Sequence, residues 1–132
     1  SNLMTDWTFG MHALDLLEQH QDKSYGYFFN EPSPLLDGRL GAYHASELPY
    51  VFGSANKKIF KDFCSEYSDE ISNFFQFSWS QFAKTGSPSS HLMDWEVYEN
   101  NSSITYINSV PKIKTFKNKD RIKLLNESKL NF

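Results

Sequence analysis

The sequence predicts part of an α/β fold, on three observations. Ile71, Phe74, Phe75, Ser78, Trp79, Phe82 and Ala83 recur at helical spacing, the strongest periodic signal in the chain. Tyr25, Tyr27 and Phe29 alternate with other residues as a strand does, and Phe28 makes the second face partly apolar. A strand apolar on both faces belongs inside a covered sheet. The third observation is a shortage. One core strand, one long helix and a small hairpin are too little sheet for a complete α/β fold, which needs several parallel strands with helical crossovers.

The elements follow in order. Asp6 is a good N-cap for a first helix from Trp7 to about Gln19, slightly weakened by Gly10. The strand at Tyr25–Phe29 comes next, and Pro32, Pro34 and Gly38 then make a loop. The long amphipathic helix starts near Asp69 and Glu70, whose charges suit the positive end of the helix dipole. It ends at Thr85-Gly86-Ser87-Pro88, with glycine at the C′ position and proline beyond. Trp95–Tyr98 and Ser103–Ile107 read as the two strands of a terminal hairpin around an Asn/Ser turn. Asp120 caps a last short helix through Leu124 and Leu125. No linker or repeat divides residues 1–132, which read as one domain; Ser1-Asn2, with no initiator Met, reads as an expression scar.

Composition narrows the function classes. The chain has 132 residues and 17% aromatics, including twelve Phe, a large apolar content for this length. Net charge is −3, unevenly spread. Lys112, Lys114, Lys117, Lys119, Arg121 and Lys123 form a basic stretch with only Phe116 interleaved, so a solvated face fits better than nucleic-acid binding. Cys64 is the only cysteine, which excludes an intrachain disulfide, and Phe63-Cys64-Ser65 suits a small buried hydrophobe better than a nucleophile. No apolar run is long enough to span a membrane. The single cysteine and the absence of a visible signal peptide tilt the expectation slightly toward the cytoplasm. Three matches to glycosylation sequons, at Asn100, Asn101 and Asn126, carry almost no weight in a chain this rich in Asn and Ser.

The segment with chemistry in it is Gly41-Ala42-Tyr43-His44-Ala45-Ser46-Glu47-Leu48-Pro49-Tyr50-Val51-Phe52-Gly53. It sets one histidine just past a glycine turn, and histidine is the side chain suited to carrying protons near neutrality. His12, His20 and His91, the last near Asp94, read as surface or packing residues, since no cluster has metal-ligand spacing. Neither GxGxxG nor GxxxxGK[ST] occurs, so neither a nucleotide nor any other cofactor is expected.

This segment, together with Asp6, Phe9 and Tyr25-Gly26-Tyr27-Phe28-Phe29, resembles the C-terminal third of a type-B carboxylesterase, the family that includes the cholinesterases and para-nitrobenzyl esterases. Trp79-Ser80-Gln81-Phe82-Ala83-Lys84-Thr85-Gly86-Ser87-Pro88 is similar to the family's W-x-x-F-A-x-x-G-x-P, and Trp95 and Tyr98 to its W-x-x-Y strand. The resemblance runs in one register over nearly the whole chain. It implies the C-terminal fragment of an α/β-hydrolase fold: strand, catalytic-histidine loop, long amphipathic helix, terminal β-hairpin and short helix. It implies a Ser-His-Glu triad with His44 as the catalytic histidine. Glu47 matches the motif's glutamate, which is not the triad acid, and has a supporting role: its carboxylate is expected to accept backbone N–H groups and fix the His44 loop. Pro49–Gly53 is expected to pack beneath the site.

The family's G-x-S-x-G nucleophile elbow is missing, and Gly53-Ser54-Ala55 is not one. Ser46 and Ser54 lack elbow chemistry as substitutes. The triad acid and oxyanion loop are expected upstream, so the fragment supplies the histidine to a carboxylic-ester hydrolase and is inactive alone. A non-catalytic interaction or structural remnant of the same fold is the alternative. Cut from an upstream sheet, the Tyr25–Phe29 strand and the apolar helix stripe would need cover, from the N-terminal part or from a second copy. Sedimentation of the 132-residue chain at high concentration is therefore expected to give a species heavier than the monomer; a single monomeric boundary would contradict this.

Overall fold

The computed structural model describes residues 9–20, 22–91, 93–99, 103–115, 120 and 124. The chain divides into two compact units, residues 1–26, 96–104 and 114–132, and residues 27–95 and 105–113. The described elements are α1 (Met11–Gln19), β1 (Tyr27–Phe29), α2 (Leu48–Val51), α3 (Ser68–Thr85), β2 (Ser103–Ile107) and β3 (Lys112–Thr115). The three strands form one sheet in the order β1-β2-β3.

In the first unit, α1 buries Met11 and Leu14, three residues apart on one helical face. Its proposed cap Asp6 lies outside the described residues. The helix ends at His20, whose backbone N–H still bonds the Leu16 carbonyl. Gly26 lies in a tight spot, because a Cβ there would meet Ile104 Cγ1 and Leu17 Cδ1 at 3.1 Å. The short helix expected from Asp120 falls almost wholly outside the described residues.

In the second unit, β1 pairs in parallel with β2, Tyr27 opposite Thr105, Phe28 opposite Tyr106 and Phe29 opposite Ile107. Parallel neighbours need a long crossover, and here it contains α2 and α3. The core is aromatic. Phe75, fully buried on α3, meets Tyr27 at 6.0 Å, Phe29 at 5.9 Å and Trp79 at 5.0 Å between ring centroids. Most of these contacts are edge-on or tilted, as ring quadrupoles prefer. Ile71, Phe74, Phe75 and Ser78 are buried on α3 as the periodicity predicts, with Trp79 half-buried, but the end of the predicted stripe, Phe82 and Ala83, is exposed. Gly86 closes the helix at φ +75°, its N–H on the Phe82 carbonyl at 2.8 Å, in the left-handed conformation glycine adopts without strain.

Two sequence expectations change. β1 is shorter than Tyr25–Phe29, and Phe28 on its second face packs on Tyr106 yet stays 39% exposed. Trp95–Tyr98 is not a strand of the hairpin; β2 has β3 as its sheet neighbour instead. The cause is competition for backbone donors. The Trp95 N–H bonds the Ser89 hydroxyl at 2.9 Å, and the Tyr98 N–H bonds the Ser24 carbonyl at 2.7 Å. Trp95 itself is buried and stacks on Phe74.

Phe75→Ala is expected to lower stability in urea unfolding by about 3–5 kcal/mol, the usual cost of removing a buried ring. Leu16→Ala, at a position 74% exposed, is expected to stay within about 0.5 kcal/mol.

Candidate active site

The chain leaves β1 with Asn30 N–H on the Ile107 carbonyl and the buried Glu31 carboxylate accepting the Ser109 N–H at 2.9 Å. It then turns twice. Leu36, Asp37 and Gly38 are all left-handed, and Gly41 N–H bonds the Gly38 carbonyl. The second turn carries His44: Ser46 N–H bonds the Tyr43 carbonyl at 3.0 Å and Leu48 N–H the Ala45 carbonyl at 3.2 Å. Ala45 sits at φ +64°, a region costly for a residue with a Cβ, so the backbone reverses directly after His44. The imidazole is exposed as a result.

The next residues form α2, not merely an apolar run. Pro49 sits in its first turn, where a missing N–H breaks no helical bond. Gly53 follows at φ +60°, with the Gln76 side chain against the space a Cβ would fill. The Glu47 carboxylate, expected to accept backbone N–H groups of the loop, makes no capping bond to α2; it is the Glu47 backbone carbonyl, independent of residue type, that accepts the N–H groups of Tyr50 and Val51. The carboxylate's charge acts on Tyr27, whose phenol is raised mainly by burial and further by Glu47.

His44 lines a cleft of about 530 Å³. The other walls are mostly apolar: Leu48, Phe52, Ile59, Phe60 and Phe63. Ser46 and Ser54 also line it. Ser46 is 7% exposed and its Oγ has no protein partner, while Ser54 Oγ donates to the Pro49 carbonyl at 3.2 Å. Cys64 is buried at the same cleft, and burial pushes its thiol up, away from the reactive thiolate.

Behind the loop stands Tyr50, 2% exposed. Its phenol oxygen accepts the Ser65 N–H at 2.8 Å, and its ring packs on Phe29 at 5.4 Å. Burial pushes this phenol up to about 12, against a smaller opposing pull from the Ser65 hydrogen bond. In front of the loop stands Ser33, 3% exposed. Its N–H bonds the Gly41 carbonyl at 3.0 Å and its hydroxyl donates to the Phe63 carbonyl at 2.8 Å. Sequence reasoning left Ser33 as an anonymous loop residue between two prolines.

The remaining histidines are dispersed. His12, His20 and His91 are exposed; His20 Nδ1 lies 3.2 Å from Ser24 Oγ, and His91 meets the edge of Phe77. Among the described residues no three His, Cys, Asp or Glu side chains gather as a metal site, and no helix is long and apolar enough to cross a membrane.

Residues 1–125 match the family model described as the carboxylesterase family. Para-nitrobenzyl esterase of Bacillus subtilis (strain 168) is 35% identical over 68 residues, 50% of this chain and 14% of that protein. The structure is similar to a thermophilic PNB esterase, with TM-score 0.64 and 26% identity over 76% of this chain and 21% of the other. It is also similar to a carboxylesterase of Geobacillus stearothermophilus, with TM-score 0.62 and 24% identity over 78% and 22% of the two chains. The chain thus spans about a seventh of the curated relative and about a fifth of the solved structures. Its fold is that of a section of an α/β-hydrolase.

The raised phenol sets an alkaline limit. Unfolded, Tyr50 ionises near its ordinary 10.0; folded, it holds its proton to about 12. Its contribution to stability is therefore complete below pH 10.0 and is lost as pH rises through about 12. Tyr27 and Tyr106, also raised by burial, act in the same direction. Chemical denaturation across this range is expected to show falling stability, with a shallower fall in Tyr50→Phe; equal slopes would contradict the assignment.

Proposed function

Because this chain belongs to the carboxylesterase family, we propose that it serves carboxylic-ester hydrolysis by supplying His44 to a Ser-His-Glu triad. The serine and the acid come from a part of the protein outside these 132 residues, whose sequence holds no G-x-S-x-G. The observation that carries the reading is the setting of His44: an exposed imidazole, on a loop within the family match, at an otherwise largely apolar cleft.

In this role His44 takes the serine hydroxyl proton as the oxygen bonds to the ester carbonyl carbon. It returns that proton to the alcohol oxygen as the C–O bond of the ester breaks. A water then repeats the sequence: His44 takes its proton, the hydroxide adds to the acyl carbon, and the proton goes back to the serine oxygen. The acid holds the other ring nitrogen. The loop setting supports this work, since the ring must reach both nucleophile and leaving group. The cleft walls favour an uncharged ester with an alkyl or aryl group.

The 132-residue chain alone is expected to hydrolyse p-nitrophenyl butyrate no faster than its His44→Ala variant. In a protein joining this chain to a G-x-S-x-G segment, His44→Ala is expected to lower kcat at least about a thousandfold with little change in KM. Histidine-dependent burst kinetics from the chain alone would overturn the reading.

A further inference from the structure

The loop that carries His44 is restrained at both ends by the same three residues. At its start, Gly41 is held by Ser33, whose N–H donates to the Gly41 carbonyl at 3.0 Å. The Ser33 hydroxyl donates onward to the Phe63 carbonyl at 2.8 Å, thirty residues away. After the loop, Tyr50 accepts the Ser65 N–H at 2.8 Å, fifteen residues away. Both bonds thus end on the strap Phe63-Cys64-Ser65, and the chain from Gly41 to Tyr50 closes into a ring. The strap is anchored in turn: the Ser68 hydroxyl, at the start of α3, donates to the Ser65 carbonyl.

These links lie where the geometry most needs them. Ser33 and Tyr50 are both nearly fully buried, so water competes little for their bonds. Between them the loop holds Ala45 in the left-handed region, a conformation that persists only where its surroundings over-determine it. The turn's own bonds, Ser46 N–H to the Tyr43 carbonyl and Leu48 N–H to the Ala45 carbonyl, close it locally, and no described side chain caps α2 to add to them. Resting on the reading of His44 as the triad base, we propose that Ser33 and Tyr50 are its positioning residues, fixing both ends of its loop to the Phe63–Ser65 strap. Neither residue need touch substrate. A base displaced by a fraction of an ångström loses its hydrogen bond to the nucleophile, and the rate falls while binding is kept.

The test uses the ester-hydrolysing protein that carries this chain, with kinetics and amide hydrogen exchange read on the same variants. Ser33→Ala and Tyr50→Phe are each expected to lower kcat roughly tenfold to a hundredfold with KM within about twofold. Exchange of the amides over residues 43–50 is expected to accelerate in both. Ser33→Thr, which keeps the hydroxyl, is expected to restore kcat. The double variant is expected to lose less than the product of the single losses, because both bonds serve one strap. Leu14→Val, which trims the buried face of α1, serves as the control for plain destabilisation: it is expected to lower Tm while leaving kcat and the 43–50 exchange unchanged. Unchanged kcat in Ser33→Ala and Tyr50→Phe, or unchanged exchange over 43–50, overturns the proposal. Full activity of His44→Ala overturns the proposed function instead. Exchange then decides the clamp: loosening over 43–50 supports it, and its absence overturns it.

Discussion

The packing of α3 on β1 through Phe75 is the contact on which the rest of the second unit depends. Phe75 has no solvent exposure and joins Tyr27, Phe29 and Trp79 in one aromatic cluster. Tyr50 extends that cluster through Phe29, and Trp95 extends it through Phe74 and Trp79. Each well-oriented ring pair contributes about 0.5–1.5 kcal/mol beyond its buried area. The consequence reaches the site directly. Where α3 lies fixes Ser68, Ser68 fixes the Ser65 carbonyl, and Ser65 holds Tyr50 at the back of the His44 loop. A substitution in the aromatic core therefore moves the candidate base without touching it.

The loop itself is locally unfavourable. Ala45 is left-handed, which costs of order 1 kcal/mol or more, and the Ser46 hydroxyl is buried with no protein partner, which costs about 1–3 kcal/mol. Neither feature helps the fold. Both follow from turning the chain sharply enough to leave His44 in solvent while Ser46 and Tyr50 go inward. Such local conflict is common where geometry serves chemistry, and the hydrogen bonds of Ser33 and Tyr50 offset part of it.

Some of this was legible in the sequence. The α3 stripe from Ile71 to Ser78 follows from spacing alone, because its buried residues keep a period of 3.6, and Gly86 has no competing reading; the same period continued to Phe82 and Ala83, which are exposed, because spacing does not show where the core ends. His44 stood out through the residues around it and not through periodicity. Trp95–Tyr98 misled, since a short run rich in aromatic and β-branched residues says nothing about a serine six residues upstream that captures the Trp95 N–H. The Leu48–Val51 helix was hidden because four residues containing proline carry no periodic signal. The links through Ser33 and Tyr50 were unreadable for a different reason. They join a side chain to a backbone group thirty and fifteen residues distant, and a backbone group has no residue type to betray its partner.

The exposed aromatic residues bear on the same site. Phe52 is 73% exposed and Ile59 is 71% exposed at the cleft that His44 lines, while Phe77 and Phe82 are exposed on α3. Under the proposed function a serine hydroxyl must come within about 2.6–3.2 Å of the His44 ring. Whatever carries that serine must therefore lie over the His44 side of the cleft, where Phe52 and Ile59 would meet it. Burying two such side chains contributes about 1.5–3 kcal/mol each. Under that proposal the apolar rim and the triad would share one physical explanation: the surface that brings the serine would also cover the cleft, and excluding water there would strengthen the hydrogen bond between serine and imidazole.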